Sequence, residues 1–313
     1  MTFAFKGLSV EKIGVVGSGQ IGPDIALYFA KALCRDRVPI VVVDIAQAAL
    51  DSGRKKLARK VAKGVETGAF KPDMAQAIVD SVTFTDDYQR LAGASLVVEA
   101  ATEDRETKSR IFARLQEICS PTAILASNSS HLEPELIFDG VSHPERTLVI
   151  HYFFPAERNP LVEIVPGKET DPALTVKVMD FYEAIGKVPI TVRSRYGYAV
   201  DPVFEGLFLA AALCVEEGLG TTKEVDAVAR RALGLGVGPF TAMNLTGGNP
   251  LTNHGLDEMH RRGFGWYRSP RLLKDLLASG GSWEAPGKAE AVELPPARAQ
   301  AIADAMRGAS FGP

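Results

Sequence analysis

Short apolar runs alternate with longer amphipathic segments from the start of the chain to about residue 192. Continuous apolar runs bounded by turn residues predict strands that are buried on both faces, as in a parallel sheet. The predicted strands span residues 12–16, 40–44, 82–84, 96–99, 123–126, 147–152 and 161–166. Helical periodicity predicts helices over residues 25–33, 46–67, 73–80, 103–118 and 171–185. This alternation predicts a Rossmann-type, doubly wound α/β sheet with one nucleotide site at its switch point.

The pattern changes after the last predicted strand. Residues 203–217 are mostly apolar without strand punctuation, and Thr222 is the predicted N-cap of a second helical segment. We therefore expect a Rossmann-type domain over residues 1–192 and an all-α domain over residues 193–281. Residues 282–313, rich at first in Pro, Gly and Glu, predict a linker and a short C-terminal helix.

A glycine-rich turn follows the first predicted strand. The run Gly17-Ser18-Gly19-Gln20-Ile21-Gly22 leads into a helix and has the spacing of a dinucleotide-binding loop. Gly17 allows the tight turn, Gly19 lets the backbone approach a pyrophosphate, and Gly22 permits close helix–strand packing. Asp44 ends the next predicted strand, where it can bind the adenosine ribose and repel a 2′-phosphate. The loop, with Gln20 and Ile21, and Asp44 thus predict NAD as the cofactor.

Composition narrows the class of protein. The chain has 313 residues, 46% of them hydrophobic, and a formal net charge of −3, which gives no electrostatic basis for binding nucleic acid or an anionic membrane. No apolar run predicts a membrane span or a signal peptide. Three widely spaced cysteines give no disulfide framework and suit a reducing compartment, so a cytoplasmic protein is expected. The histidines lack metal-ligand spacing, and no metal site is expected.

Polar side chains stand at the ends of later predicted strands. His151 ends an apolar run, and Glu163 lies in the following strand. A histidine and a carboxylate on neighbouring strands can form a dyad, in which the carboxylate orients the imidazole and stabilises its protonated form. Residues 127–130, Ser-Asn-Ser-Ser, close another strand. By the switch-point rule, these polar strand ends face the cofactor.

Together these motifs resemble the L-3-hydroxyacyl-CoA dehydrogenase family and its relatives that act on other 3-hydroxy acids. The resemblance covers residues 11–255 and rests on the Gly17–Gly22 loop, residues 97–100 with Glu103 and Lys108, residues 127–130, the His151–Glu163 pair and residues 238–240. Within this set, Glu103 and Lys108 match positions that contact the cofactor. For Lys108 a solvated helix face is the alternative.

The resemblance implies NAD-dependent oxidation of a 3-hydroxyacyl-CoA. It makes His151 the expected general base for the 3-hydroxyl, with Glu163 as its partner. Ser130 is expected to bind the reacting oxygen, and Asn128 is expected beside the nicotinamide. The helical domain is expected to bind the substrate and to form a two-fold homodimer.

The chain departs from the family pattern at two places. Phe154 stands where the histidine motif usually carries an amide, and Asp201-Pro202 stands where Asn-Arg is usual. An ionised Asp201 near His151 would favour the protonated imidazole and weaken it as a base. A protonated Asp201 would instead donate a hydrogen bond to a carbonyl. Asp201 is therefore included among the candidate catalytic residues.

Three functions are compatible with these motifs. The first is a 3-hydroxyacyl-CoA dehydrogenase of fatty-acid β-oxidation, in which Lys55, Lys56, Lys60 and Lys63 meet the CoA phosphates or simply form a solvated helix face. The second is a dehydrogenase of a free 3-hydroxy acid or sugar acid. The third is an NAD-binding module with reduced catalysis in a multifunctional fatty-acid protein, as the linker-like segment near the end of the chain allows.

Overall fold

The computed structural model describes residues 2–245, 249–285 and 297. The chain divides into two compact units, one ending at Tyr198 and one beginning at Ala199. The first unit is α/β, and the described part of the second is helical. Apart from Ala297, the predicted linker and C-terminal helix beyond residue 285 lie outside the described residues.

An antiparallel hairpin opens the first unit, formed by β1 (Phe3–Phe5) and β2 (Leu8–Val10). Phe5 pairs with Leu8, so Lys6 and Gly7 alone make the turn. Both have positive φ, 42° and 84°, as a two-residue hairpin turn of type I′ requires. The sequence analysis did not predict this hairpin, because strands of three residues are too short for a recognisable alternation.

Among the described residues, an eight-stranded sheet forms the centre of the first unit. Its strands are β3 (Ile13–Val16), β4 (Ile40–Val43), β5 (Val82–Thr85), β6 (Leu96–Glu99), β7 (Ile124–Ser127), β8 (Thr147–Tyr152), β9 (Leu161–Pro166) and β10 (Val188–Thr191). They pair in the order β10-β9-β8-β7-β6-β3-β4-β5. The strands from β3 to β8 are parallel to one another. Strand β9 is antiparallel to β8, and β10 is parallel to β9. The carboxyl ends of β3, β4, β6, β7 and β8 therefore share one edge of the sheet, where β9 begins.

Helices cover both faces of this sheet, which confirms the predicted doubly wound class. They are α1 (Gly22–Ala32), α2 (Gln47–Glu66), α3 (Pro72–Ser81), α4 (Arg105–Ile118), α5 (Pro134–Ile137) and α6 (Pro172–Ala184). Val15 and Val98 join the core on the face of α1, α2, α3 and α6, whereas Val16 and Val97 join the core on the face of α4 and α5. Burial on both faces explains why these strands are continuous apolar runs.

The far edge of the sheet differs from the prediction. The four-residue strand β10 was not predicted, because Pro189 interrupts its apolar pattern. Proline cannot donate a ladder hydrogen bond, and it is tolerated here because β10 is an edge strand.

The second unit contains α7 (Val200–Glu216), α8 (Thr222–Leu233), α9 (Pro239–Leu245), α10 (Asn249–Arg261) and α11 (Arg271–Ala278). The prediction of Thr222 as an N-cap is wrong, because Thr221 caps α8. The Thr221 hydroxyl accepts from the Glu224 N–H at 3.3 Å, and the Glu224 carboxylate accepts from the Thr221 N–H at 2.8 Å. This reciprocal capping box selects the threonine three residues before the glutamate. No helix in the described ranges has both the length and the apolarity to cross a membrane.

A buried aspartate of α8 caps α9. Asp226 is fully buried and accepts from the Phe240 N–H at 2.7 Å, the Thr241 N–H at 3.0 Å and the Thr241 hydroxyl at 2.6 Å. A Cβ on Gly238 would collide with this carboxylate. The Gly-Pro-Phe motif at residues 238–240 thus has a structural role, because it lets Asp226 satisfy the free N–H groups of a helix start.

Candidate active site

The glycine-rich loop connects β3 to α1. Gly17 has a φ of +108°, and a Cβ there would lie 2.5 Å from the Ala100 carbonyl oxygen. Gly22 lies at the start of the helix, and a Cβ there would collide with the Gly17 carbonyl. Only glycine therefore lets the two ends of the loop come this close. Nothing lies within 4 Å of the position that a Cβ on Gly19 would take. The loop therefore has an open face at Gly19, the residue at which such loops approach a pyrophosphate.

Asp44 follows β4 and ties this loop to the start of α2. Its Oδ2 accepts from the Ser18 N–H at 2.7 Å, and its Oδ1 accepts from the Ala46 N–H at 2.9 Å. A carboxylate has about four acceptor positions, so each oxygen keeps one for a further donor. The half-buried Asp44 can thus support the loop and bind ribose hydroxyls at the same time.

Two lysines of α2 support the part of the glycine-rich loop that leads into α1. The Ile21 carbonyl accepts the first hydrogen bonds of α1, and the Gln20 carbonyl accepts from Lys56 Nζ at 2.5 Å. Lys56 and Lys60 also pair with the buried Asp24 carboxylate, at 2.9 and 2.8 Å. These two lysines are therefore more than a solvated face of α2, because they hold α2 against the start of α1.

His151 and Glu163 are opposite residues in the antiparallel pairing of β8 with β9. His151 Nδ1 lies 2.8 Å from Glu163 Oε2, and the residues are only 4% and 0% exposed. Residues directly opposite in such a pair project to the same face, which brings the carboxylate to the imidazole. An ionised carboxylate can only accept, so this contact is compatible with the tautomer that carries its proton on Nδ1 and has Nε2 as an acceptor.

Two aromatic rings confine the imidazole. The ring centroids of Phe153 and Tyr198 lie 4.5 and 5.7 Å from that of His151. Tyr198 has a φ of 52°, which is uncommon outside glycine, and its hydroxyl donates to the Leu132 carbonyl at 2.6 Å. The sequence analysis missed Tyr198, because it considered only Asp201 and Pro202 in this part of the chain.

Asn128 and Ser130 lie just beyond the end of β7. The Asn128 Oδ1 accepts from the Tyr152 N–H at 2.9 Å, and Tyr152 is the neighbour of His151. This bond uses the side-chain oxygen and leaves the amide N–H groups of Asn128 as donors. Ser130 is partly exposed, and its backbone N–H donates to Glu103 at 3.0 Å. The structure thus places both predicted residues at the sheet edge that carries His151.

Glu103 anchors the turn that carries Ser130. Its Oε1 accepts from the Ser129 hydroxyl at 2.5 Å and from the N–H groups of Ser130 and His131, both at 3.0 Å. Lys108 Nζ lies 3.3 Å from its Oε2. Burial opposes ionisation of Glu103, but Lys108, the Ser129 hydroxyl and the His131 N–H outweigh it and lower its pKa. Glu103 is therefore ionised at neutral pH.

Glu99, the last residue of β6, is a site residue that the sequence analysis missed. It is fully buried and accepts from the Ser127 hydroxyl at 2.6 Å and the Ala101 N–H at 2.8 Å. Lys108 Nζ lies 3.0 and 2.9 Å from its two oxygens. Lys108 is only 1% exposed, so it does not belong to a solvated helix face. The sequence signal for Glu99 is an acidic residue at the end of an apolar strand, the same signal that indicated Asp44.

The two departures from the family pattern belong to different units of the chain. Phe154 is 42% exposed, and its ring lies 5.8 Å from Lys56 Nζ, near the glycine-rich loop. Asp201 lies in the first turn of α7, in the second unit, whereas His151 and Glu163 belong to the first. The catalytic role of Asp201 stays a prediction.

A doubly wound sheet with this loop and an acid after β4 defines the class of dinucleotide-binding oxidoreductases. Residues 12–195 match the family described as 3-hydroxyacyl-CoA dehydrogenase, NAD binding domain, and residues 197–289 match 3-hydroxyacyl-CoA dehydrogenase, C-terminal domain. The chain therefore belongs to the 3-hydroxyacyl-CoA dehydrogenase family and is an NAD-dependent oxidoreductase. This confirms the resemblance and the predicted cofactor.

Similar proteins agree with this assignment. A 3-hydroxybutyryl-CoA dehydrogenase of Mycobacterium tuberculosis is 32% identical over 241 residues, which are 76% of this chain and 83% of that protein. The crystal structure of FadB2 of M. tuberculosis is similar with a TM-score of 0.82 and 30% identity, over 88% of this chain and 96% of that one. The (S)-3-hydroxybutyryl-CoA dehydrogenase PaaH1 of Ralstonia eutropha shares the fold, with a TM-score of 0.80, 24% identity and coverage of 88% and 96%.

Proposed function

We propose that this protein oxidises the 3-hydroxyl of an L-3-hydroxyacyl-CoA with NAD and uses His151 as the general base. The observation that carries the proposal is the buried contact of 2.8 Å between His151 Nδ1 and Glu163 Oε2. It lies at the carboxyl edge of the parallel strands, the edge that also carries the glycine-rich loop. A base at this edge is suitably located to act beside a bound dinucleotide.

Proton transfer occurs at His151 Nε2. Nδ1–H of His151 donates to the Glu163 carboxylate, so the lone pair of Nε2 is available for the proton of the substrate hydroxyl. The imidazole becomes cationic as it takes that proton, and the adjacent carboxylate stabilises the charge. In the reverse direction, the same imidazolium returns the proton to the oxygen.

Ser130 and Asn128 position the reactants. The Ser130 hydroxyl donates a hydrogen bond to the reacting oxygen, which places C3 of the substrate within reach of the cofactor. The Asn128 amide is oriented by its bond to the Tyr152 N–H and would hold the nicotinamide of a bound NAD through its free N–H groups. Neither Ser130 nor Asn128 takes part in the proton transfer, which occurs at His151.

The loop and Asp44 fit a dinucleotide. The open face at Gly19 admits a pyrophosphate, and Asp44 keeps acceptor positions for ribose hydroxyls. NAD, when bound, supplies the hydride acceptor for C3 of the substrate. Asp44 selects against NADP, because its charge repels a 2′-phosphate.

An acyl-CoA is favoured over a free acid because the curated relative at 32% identity is a 3-hydroxybutyryl-CoA dehydrogenase. The test is NADH oxidation with acetoacetyl-CoA, with free acetoacetate as the matched control. We expect a much higher kcat/KM for acetoacetyl-CoA than for acetoacetate. Preference for acetoacetate would indicate the free-acid function, and tight NADH binding without turnover on either compound would indicate a module with reduced catalysis.

Asp201 is proposed to act on the substrate, and Asp201→Asn separates its two possible roles. If an ionised Asp201 weakens the base, the variant gains kcat/KM on acyl-CoA, and the acidic limb of its pH–rate profile moves to lower pH. If Asp201 recognises another substrate, the variant loses that activity and gains none on acyl-CoA. Unchanged rates with an unchanged profile would place Asp201 outside the site.

We also propose a homodimer formed through the helical unit. On α7, Val203 and Phe204 are 73% and 41% exposed, and Leu213 is 39% exposed. Exposed apolar side chains on a helix that also lines a core are typical of a subunit interface. Light scattering at micromolar concentration is expected to give the mass of a dimer, and a monomer would contradict this proposal.

A further inference from the structure

We infer that Lys187 and Lys31 are positioning residues for the proposed His151–Glu163 dyad. They hold the connection between β8 and β9, residues 153–160, and thereby keep Glu163 opposite His151. The inference rests on the proposed function for what the dyad does, whereas the contacts of the two lysines do not depend on any substrate.

The connection between β8 and β9 needs support from outside itself. It is eight residues long, since β8 ends at Tyr152 and β9 begins at Leu161. A two-residue hairpin turn fixes the register of its strands, whereas a connection of this length does not do so by itself. A slip of one residue would turn Glu163 to the face of the sheet opposite His151. Contacts that hold the connection therefore also hold the dyad.

The connection contains one helical turn with outward-facing carbonyl groups. The N–H groups of Arg158 and Asn159 donate to the Pro155 carbonyl at 3.0 and 2.9 Å. Among the described hydrogen bonds, the carbonyls of Ala156, Glu157 and Asn159 accept from lysine ammonium groups and from no backbone N–H. Free carbonyls at the end of a helical turn carry partial negative charge, so a cation is a favourable partner for them.

Two lysines from separate elements supply these cations. Lys187 immediately precedes β10 and is only 4% exposed, and its Nζ donates to the carbonyls of Ala156 and Asn159 at 2.7 and 2.6 Å. Lys31, in the last turn of α1, donates from its Nζ to the Glu157 carbonyl at 3.0 Å. The turn is therefore tied both to the edge strand and to the helix that follows the glycine-rich loop.

The surroundings of Lys187 and Lys31 suit buried cations. Both ammonium groups lie over the Tyr28 ring, with Nζ at 3.9 and 4.8 Å from the ring centroid, where the negative face of the ring attracts them. Burial, and to a smaller degree Lys31, lowers the pKa of Lys187 to about 8, while Glu157 opposes the shift. Lys187 is thus mainly protonated at pH 7, and its bonds to the two carbonyls are charge-assisted, which makes them about twice as strong as neutral ones.

The test compares Lys187→Met with Lys12→Met. Lys12 is a matched control, because its ammonium also donates to two backbone carbonyls of a loop in the first unit, those of Arg90 and Ala92, at 3.4 and 2.6 Å. That loop carries neither residue of the dyad. The two variants therefore remove the same kind of bond, but only one of them removes it from the β8–β9 connection.

Four quantities are measured in each variant. They are the amide hydrogen exchange of residues 158, 159 and 161, the NMR resonance of the His151 Nδ1–H, the Kd for NADH, and kcat. The three amides report on the connection, because two donate to the Pro155 carbonyl and the third donates to the Asn159 side chain at 3.1 Å. The Nδ1–H resonance reports on the dyad, because a proton donated to a buried carboxylate exchanges slowly with water.

In Lys187→Met, exchange at the three amides should rise about tenfold or more. The Nδ1–H resonance of His151 should broaden or disappear, and kcat should fall roughly 10- to 100-fold through misplacement of the base. The Kd for NADH should stay within about threefold of the native value, because the glycine-rich loop and Asp44 hold the cofactor. Lys12→Met should leave all four quantities near native values. A native Nδ1–H resonance in Lys187→Met would overturn the inference even if exchange is faster, because the turn would then not position the dyad.

Lys31→Met keeps the inference testable if Lys187→Met does not fold. Lys31 is partly exposed and supplies one of the three carbonyl bonds, so a smaller rise in exchange at residues 158 and 159, of about threefold, is expected. Native exchange at both amides would overturn the inference. Exchange, the Nδ1–H resonance and NADH binding need no substrate, so these results stand even if acetoacetyl-CoA is not turned over.

Discussion

Replacing Asp44 by alanine should weaken NAD binding strongly, beyond its effect on the two loop hydrogen bonds that this carboxylate accepts. Each oxygen of this carboxylate accepts one backbone N–H, at 2.7 Å from Ser18 and 2.9 Å from Ala46. Of about four acceptor positions, about two remain for the ribose hydroxyls. A hydrogen bond to a charged group at a half-buried site contributes about 1.5 kcal/mol, so losing two costs about 3 kcal/mol. The Kd for NAD should therefore rise roughly 150-fold.

Fluorescence titration with NADH and NADPH measures this effect in the native protein, Asp44→Ala and Asp44→Asn. The asparagine keeps one oxygen for the loop but removes the charge, so it separates support of the loop from repulsion of the 2′-phosphate. We expect the native protein to prefer NADH and Asp44→Ala to lose most of that preference. Equal native affinities, or an equal loss of both cofactors in Asp44→Ala, would refute the reasoning.

Two further predictions concern stability. Asp226→Ala removes three hydrogen bonds from a buried helix cap and should lower the free energy of unfolding, measured with urea, by about 3 kcal/mol. Asp226→Asn should lose less. Equal stability of Asp226→Ala and the native protein would show that the cap does not stabilise the fold. Burial, with Lys31 nearby, lowers the pKa of Lys187 to about 8. The unfolded chain then binds more protons above this pH, so stability relative to Lys187→Met should rise by about 2 kcal/mol from pH 8 to 9.5; a flat difference would count against a depressed pKa.

The parts of the fold that the sequence predicted are those with local signals. Val15 and Val16 belong to a run covered on both faces, and such runs indicate parallel strands whichever helix covers them. Gly17 is required by its positive φ and by the nearness of the Ala100 carbonyl, which makes the loop motif specific. His151 and Glu163 were predicted as a pair because each stands in its own strand at a compatible separation.

Other features depend on contacts between distant segments. The reversed direction of β9, which puts Glu163 opposite His151, has no local signal, because a buried strand has the same pattern in either direction. The burial of Lys108 against Glu99 could not be predicted either, since an exposed and a buried lysine occupy similar positions in a helical pattern. Thr221 and Thr222 are equally good caps by residue type, and only the partner Glu224, three residues after Thr221, distinguishes them.

The central claim is that His151 transfers the proton at an NAD site, and His151→Asn tests it most directly. Asparagine keeps an N–H donor for the buried Glu163 but has no basic nitrogen. The measurement is the turnover of acetoacetyl-CoA with NADH alongside the Kd for NADH in the same preparation. Turnover should fall about 10²- to 10⁴-fold with a nearly unchanged Kd, because the cofactor is held by the glycine-rich loop and Asp44. Turnover near the native rate, or a loss of NADH binding that accounts for the loss of turnover, would contradict the claim.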